Sequence, residues 1–242
     1  MSTNIAVIFA GGIGSRMNSK ALPKQFLEIH GKPILIHTLE KFENHPEIDA
    51  IVLATNPDWR DLTEKLLRKH EITKCQWVVN GGETGQESRH KALRTIAADV
   101  EDPSNVIVLL HDGVRPLIND ALISENIEMA RTKGNAITCT KNNETVAVSA
   151  DETITEVIPR DHIYAAQAPQ TFHLDEILAL YDLAVEEGET NSIDSCTLMA
   201  THGRQLFRVE GPRSNIKITT AEDFYVCRTY FDVLETQQIV GM

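Results

Sequence analysis

Cysteine is scarce and scattered. The four thiols, Cys75, Cys139, Cys196 and Cys227, form no Cys-x-x-Cys pair, which argues against a zinc ribbon or a disulfide framework and for free thiols in a reducing compartment. Positive charge is also in short supply: 23 Lys and Arg face 35 Asp and Glu, a formal net charge of -12. Sequence-independent binding to nucleic acid or to an anionic membrane needs clustered cations, so neither is an expected partner. No apolar run approaches the length of a membrane span, and the N-terminus enters a strand pattern without a basic or long apolar leader. A cytoplasmic protein is expected. Missing too are a Gly-x-Ser-x-Gly elbow, a His-Glu-x-x-His pair and a cysteine beside a base motif, so no side chain offers itself as a covalent nucleophile. Nor does a low-complexity linker divide the 242 residues, 42% of them hydrophobic. One domain spanning 1–242 is expected.

What the chain does have begins at Ile5. The apolar run Ile5-Ala6-Val7-Ile8-Phe9 leads into Ala10-Gly11-Gly12-Ile13-Gly14-Ser15-Arg16-Met17 and then Leu22-Pro23-Lys24-Gln25-Phe26-Leu27. A strand ending in a glycine-rich, basic loop suits phosphate: Gly11, Gly12 and Gly14 let consecutive N–H groups approach an anion, and Arg16, Lys20 and Lys24 add charge. The Walker A ending is absent, and Met17 stands where a dinucleotide fingerprint needs its third glycine. An ordinary strand-to-helix turn is the competing explanation for the glycines alone; the basic residues weigh against it.

Short apolar runs at Ile5 to Ala10, Ala50 to Thr55, Gln76 to Val79, Val106 to His111 and Ala136 to Thr140 predict strands. Amphipathic stretches predict helices over Pro33 to Glu43, Trp59 to His70, Gly85 to Ala98, Asn119 to Lys133 and Leu174 to Glu187. A last helix opens at Thr220-Ala221-Glu222-Asp223 and reaches about Leu234. Pro33 suits a first helical turn and Asn119 an N-cap. The alternation specifies an α/β fold: a Rossmann-like, mostly parallel sheet with helices on both faces. Between Glu144 and Val157, two β-rich segments around Ala150-Asp151-Glu152 predict a hairpin outside that rhythm, either a protruding arm over about 141–166 or a plain surface hairpin.

Ligands of open α/β sheets bind beyond the carboxyl ends of the strands, and the chemistry-bearing motifs gather there. Val106 to Leu110 ends in His111-Asp112-Gly113-Val114-Arg115-Pro116. Asp112 suits a divalent metal or a sugar hydroxyl and Arg115 a phosphate; an Asp112–Arg115 ion pair closing the turn is the alternative. His111 reads as structural. In Asn215-Ile216-Lys217-Ile218-Thr219-Thr220, a short strand would turn Lys217 away from both isoleucines, toward an anion or solvent. Gly81-Gly82-Glu83-Thr84-Gly85 leads into a helix carrying Ser88, a second contact region or else a flexible loop with Ser88 as cap.

Taken in order, the Ala10 to Met17 loop, Pro23-Lys24-Gln25-Phe26, His111 to Pro116, Gln167-Ala168-Pro169-Gln170 and Asn215 to Thr220 resemble the polyol-phosphate cytidylyltransferases, over nearly the whole chain. That family includes methylerythritol 4-phosphate enzymes of isoprenoid synthesis and ribitol 5-phosphate enzymes of teichoic-acid and capsule synthesis. The resemblance implies transfer of CMP from CTP to a polyol phosphate with Mg²⁺, the acceptor's own phosphate oxygen being the nucleophile. It implies catalytic roles for Arg16, Lys24 and Lys217 at the triphosphate. CTP contacts would come from Ala10, Gly11, Gly12, Gly14, Gly82 and Ser88, and acceptor contacts from Asp112, Arg115, Thr145 and Arg160. Arg160 would come from the neighbouring subunit of a homodimer through the exchanged arm. Where the methylerythritol enzymes often carry pocket threonines, this chain has Ala168 and Ile193; with Phe26 and Ile193-Asp194-Ser195-Cys196 this favours ribitol 5-phosphate. Three other readings are a sugar 1-phosphate nucleotidyltransferase, a non-catalytic CTP-binding regulator and a coenzyme-binding dehydrogenase. Compact length and His111 to Pro116 oppose the first, the retained phosphate-handling residues the second, and Met17 the third.

Overall fold

The computed structural model describes residues 2–12 and 22–240. Its strands are β1 (Thr3–Ala10), β2 (Glu28–Ile29), β3 (Lys32–Pro33), β4 (Ala50–Thr55), β5 (Cys75–Asn80), β6 (Val106–Asp112), β7 (Asn135–Lys141), β8 (Val146–Ala150), β9 (Thr153–Ile158), β10 (Tyr164–His173) and β11 (Arg208–Glu210). The helices are α1 (Ile34–Glu43), α2 (Arg60–Lys69), α3 (Gly85–Asp99), α4 (Asp120–Lys133), α5 (Leu174–Glu186), α6 (Ser195–Thr201) and α7 (Ala221–Val240). Seven strands form one sheet in the order β11-β7-β10-β6-β1-β4-β5. All neighbours run parallel except β10, which is antiparallel to both β6 and β7.

Strand residues alternate between two cores. Ala6, Ile8, Ile51, Leu53, Ile107 and Leu109 face the side covered by α1, α2 and α4, and Ile5, Val7, Val52, Val106 and Val108 face α3, α5 and α6. This is why the central strands read as continuous apolar runs: both faces are buried, as a sheet wrapped by crossover helices requires. A third, smaller cluster ties α7 to the β2–β3 region through Ile29, Ile34, Val114, Ile218 and Cys227.

The helix starts follow the sequence closely. Asn119 caps α4, its Oδ1 accepting from Leu122 N at 2.9 Å, and Gly134 ends the helix with φ of 97°. Pro33 stands one residue outside α1, as its cap, rather than in the first turn. The hairpin forms as β8 and β9, a separate two-stranded sheet whose turn residue Asp151 has φ of 54°.

Two expectations need correcting. Tyr164–His173, in which no strand was expected, is a ten-residue sheet strand. Its register shifts between Ala166 and Gln170, across a cis Ala168–Pro169 bond, and that irregularity hides the alternation. Conversely, Asn215 to Thr219 takes no regular structure and joins no sheet; a hydrogen bond from Ile218 N to Val114 O at 2.9 Å helps hold it.

Candidate active site

Two hollows open at the carboxyl edge of the sheet. The larger, about 550 Å³, is floored by Ala10, Gly11 and Gly12 after β1 and walled by Lys24, Gly82 and Ser88. The smaller, about 240 Å³, lies toward β10 and α6 and includes Arg115, Gln170, Asp194 and Ser195. Phe9, Arg89, Asp112 and Lys217 line both, so the hollows meet where β6 delivers Asp112.

Each wall is held by a specific contact. Gln25, 1% exposed, donates from Nε2 to Ala10 O at 2.7 Å; this pins the 23–27 segment to the end of β1 and sets Lys24 on the rim. Ser88 does not cap α3; Thr84 does, accepting from Glu87 N at 3.1 Å. Ser88 Oγ instead accepts from Gly82 N and donates to Thr84 O, both at 2.9 Å. It is the staple that shapes the glycine loop; a Cβ added at Gly81 would lie 3.2 Å from Ser88 Oγ, and one added at Gly82 would meet only the Glu87 side chain.

At the junction, Asp112 Oδ1 lies 2.7 Å from Lys217 Nζ, and Oδ2 lies 3.3 Å from Arg115 Nε and Nη2. The turn-closing ion pair is therefore present, and Lys217 faces an anion as well as solvent, being 44% exposed. Burial alone would raise the Asp112 pKa, but the Lys217 and Arg115 charges outweigh it and hold the carboxyl down to about 2. Arg115 is further fixed by donating from Nη1 to Asn215 O at 2.5 Å. With both oxygens already facing cations, Asp112 is not a preformed metal ligand, and among the described residues no group of three or more His, Cys, Asp or Glu side chains can hold one. Among the described residues the protein thus offers no all-protein cage for Mg²⁺.

His111 is wholly buried, bonds Arg115 O through Nε2 at 3.0 Å and packs on Phe42. Burial, the leading cause, pushes its pKa down to about 4, so it is a neutral structural group. The thiols are equally inert: burial raises Cys75 and Cys227 to about 12, and burial with Asp194 raises Cys196 to about 11.

Arg16 and Gly14 lie outside the described residues. Thr145 and Arg160 are exposed at the root of the β8–β9 hairpin, Arg160 in a separate depression with Lys141 and Asn143, and neither lines the hollows that meet at Asp112. Arg89 escaped sequence reasoning altogether. Its signal, one residue beyond Ser88 on the first turn of α3, acquires meaning only once α5 supplies Tyr181, which accepts from Arg89 Nε at 2.7 Å.

A family model, IspD: 2-C-methyl-D-erythritol 4-phosphate cytidylyltransferase, matches residues 4–232. The chain belongs to that family. A protein of Streptococcus agalactiae serotype Ia named ribitol-5-phosphate cytidylyltransferase is 48% identical over 99% of this chain and 100% of its own length. One of the same name from Vibrio parahaemolyticus is 45% identical over 98% of this chain and 100% of its own length. A Clostridium novyi protein named 2-C-methyl-D-erythritol 4-phosphate cytidylyltransferase is 33% identical over 98% of this chain and 100% of its own length. Among solved structures, the 4-diphosphocytidyl-2C-methyl-D-erythritol synthase of Anaerococcus prevotii superposes with a TM-score of 0.81 at 31% identity, covering 96% of each chain. The protein is thus an IspD-family cytidylyltransferase.

Proposed function

We propose that the protein transfers CMP from CTP to ribitol 5-phosphate, giving CDP-ribitol and pyrophosphate. The carrying observation is the meeting of the two hollows at Lys217 and Asp112. A triphosphate laid along the glycine loop in one and a polyol phosphate in the other would bring the acceptor's phosphate oxygen to the α-phosphorus beside the Lys217 ammonium. A new P–O bond forms there, and the bond to the β-phosphate breaks. That oxygen is already ionised near neutral pH, which accounts for a site without a nucleophile or a general base; alignment and charge neutralisation carry the reaction.

In this reading Arg16 and Lys24 hold the triphosphate and Lys217 exchanges its partner Asp112 for the α-phosphate. The backbone of Ala10 to Gly12, with Gly14, Gly82 and Ser88, receives the rest of CTP. Asp112 and Arg115 line the acceptor side. Bound with the triphosphate, Mg²⁺ would supply charge neutralisation at its phosphates. The acceptor assignment rests on the 45–48% full-length relatives named for ribitol 5-phosphate against 33% for one named for methylerythritol 4-phosphate. Ala168 and Ile193, which line the smaller hollow, offer no side-chain hydroxyl there.

Thr145 and Arg160 complete the acceptor site from a second copy, in a homodimer made by exchanging the β8–β9 arm. The arm supports this: Ile154 and Val157 are 67% and 59% exposed, and a lone two-stranded hairpin is marginal in water.

The test is pyrophosphate release from CTP and Mg²⁺ with ribitol 5-phosphate or methylerythritol 4-phosphate at equal concentration. Preference for ribitol 5-phosphate is expected. Preference for methylerythritol 4-phosphate would overturn the acceptor, and CTP binding with no release from either would revive a regulator.

A further inference from the structure

Behind the smaller hollow, α3, α5 and α6 are joined by a chain of polar side chains that the transfer itself does not require. Arg89 donates from Nε to Tyr181 Oη at 2.7 Å and from Nη2 to Ser192 O at 2.9 Å. Tyr181 Oη lies 2.8 Å from Ser195 Oγ. Tyr181 and Ser195 are fully buried, and Ser195 lines the hollow.

Counting hydrogens fixes the direction. A guanidinium N–H only donates, so Tyr181 Oη accepts from Arg89. If Ser195 also donated to that oxygen, the phenolic hydrogen would be left in the core without an acceptor. Burial keeps the phenol protonated by raising its pKa, so the hydrogen is there to be placed. Tyr181 therefore donates to Ser195, and the Ser195 hydrogen, with no acceptor recorded for it among the described residues, is left for the hollow.

The preceding residue supplies the complement. Asp194 Oδ1 accepts from Thr197 N at 2.8 Å and Oδ2 from Gln170 Nε2 at 2.9 Å, while Gln170 Oε1 accepts from Cys196 N at 2.9 Å. The carboxylate is pinned by neutral donors, keeps unused lone pairs, and makes no ion pair among the described residues.

We propose that Arg89, acting through Tyr181, is the positioning residue that turns the Ser195 hydroxyl toward the acceptor, and that Ser195 and Asp194 together recognise two adjacent hydroxyls of its polyol chain. One hydroxyl accepts from Ser195 and its neighbour donates to Asp194. This rests on the acceptor lying in the smaller hollow, as in the function proposed above.

The experiment compares kcat/KM for ribitol 5-phosphate with that for each of its monodeoxy analogues, in the wild type, Ser195→Ala and Tyr181→Phe. For the wild type, loss of a recognised hydroxyl should cost about tenfold, the scale of one hydrogen bond to a fixed partner. Ser195→Ala should abolish that penalty at one position while leaving the KM for CTP unchanged, and Tyr181→Phe should weaken the same penalty with the hydroxyl of Ser195 still present. A merely structural role would lower all acceptors alike. Unchanged discrimination in a folded, active Ser195→Ala would overturn the inference alone. A wild type that releases no pyrophosphate with any polyol phosphate would remove the acceptor assignment, and the inference with it.

Discussion

Asp112 has one carboxylate oxygen for each of two cations, Lys217 and Arg115, and in the proposed reaction both would face a phosphoryl group. In the proposed reaction, taking Lys217 away would leave the triphosphate without its partner at the α-phosphorus, and Lys24 would play the corresponding part on the rim. Lys24→Ala should lower turnover about a hundredfold or more, the scale of one preorganised electrostatic group; near-normal turnover in the folded variant would remove that role. Asp112 also carries a pH signature. Its folded pKa of about 2 lies below the ordinary 3.8, so the pairing stabilises the fold above pH 3.8 and that contribution is lost as pH falls toward 2. Lys217→Met removes the leading charge that depresses it. Urea midpoints followed from pH 5 to 2 should therefore fall more steeply in the wild type than in Lys217→Met, and parallel curves would show that the ion pair contributes nothing. His111 works in the opposite part of the scale: neutral in the fold with a pKa of about 4 against 6.5, it favours the folded state above pH 6.5 and loses that contribution as pH falls through 4.

Between elements, the chain leaving β6 comes close to β1 at Gly113. Gly113 N donates to Phe9 O at 2.9 Å, and an added Cβ would meet that same carbonyl oxygen at 2.9 Å and Leu35 Cδ1 at 3.0 Å. Backbone rather than a flexible side chain would have to give way. Gly113→Ala should cost about 1–3 kcal/mol, as overpacking does, read as a lower urea midpoint with an unchanged m-value; full stability would mean the strands can part there. The parallel strands and their helices were legible because burial on both faces writes itself as unbroken apolar runs, and Asn119 was legible because its cap is local. β10 was not, since Ala, Gln and Pro around a register shift carry no period. Lys217 was placed on the correct side of its segment by alternation with Ile216 and Ile218, yet the segment donates one backbone bond, from Ile218 N to Val114 O, in place of a ladder. Arg89 was illegible for a different reason: its partners, Tyr181 and Ser192, lie about a hundred residues away in sequence, and a contact of that range leaves no local trace.

For the molecule as a whole, Thr145 and Arg160 flank β8 and β9, an arm whose strands pair with no others among the described residues. If a twofold exchange of arms completes the site, Arg160→Ala should chiefly raise the KM for the polyol phosphate while leaving that for CTP in place. The same geometry makes a stronger demand. In a dimer of one Arg160→Ala chain and one Lys217→Met chain, one site receives both defects and the other receives neither, because its Lys217 comes from the first chain and its Arg160 from the second. Unfolding the two impaired variants together and refolding them at equal ratio should restore about a quarter of wild-type activity: half the dimers are mixed, and each has one intact site of two. Assayed with the polyol phosphate well below the KM of the Arg160→Ala variant, either variant refolded alone should show little activity. If the mixture stays as impaired as its components while sedimentation shows dimers, Arg160 serves the site of its own chain and the arm does not carry it across.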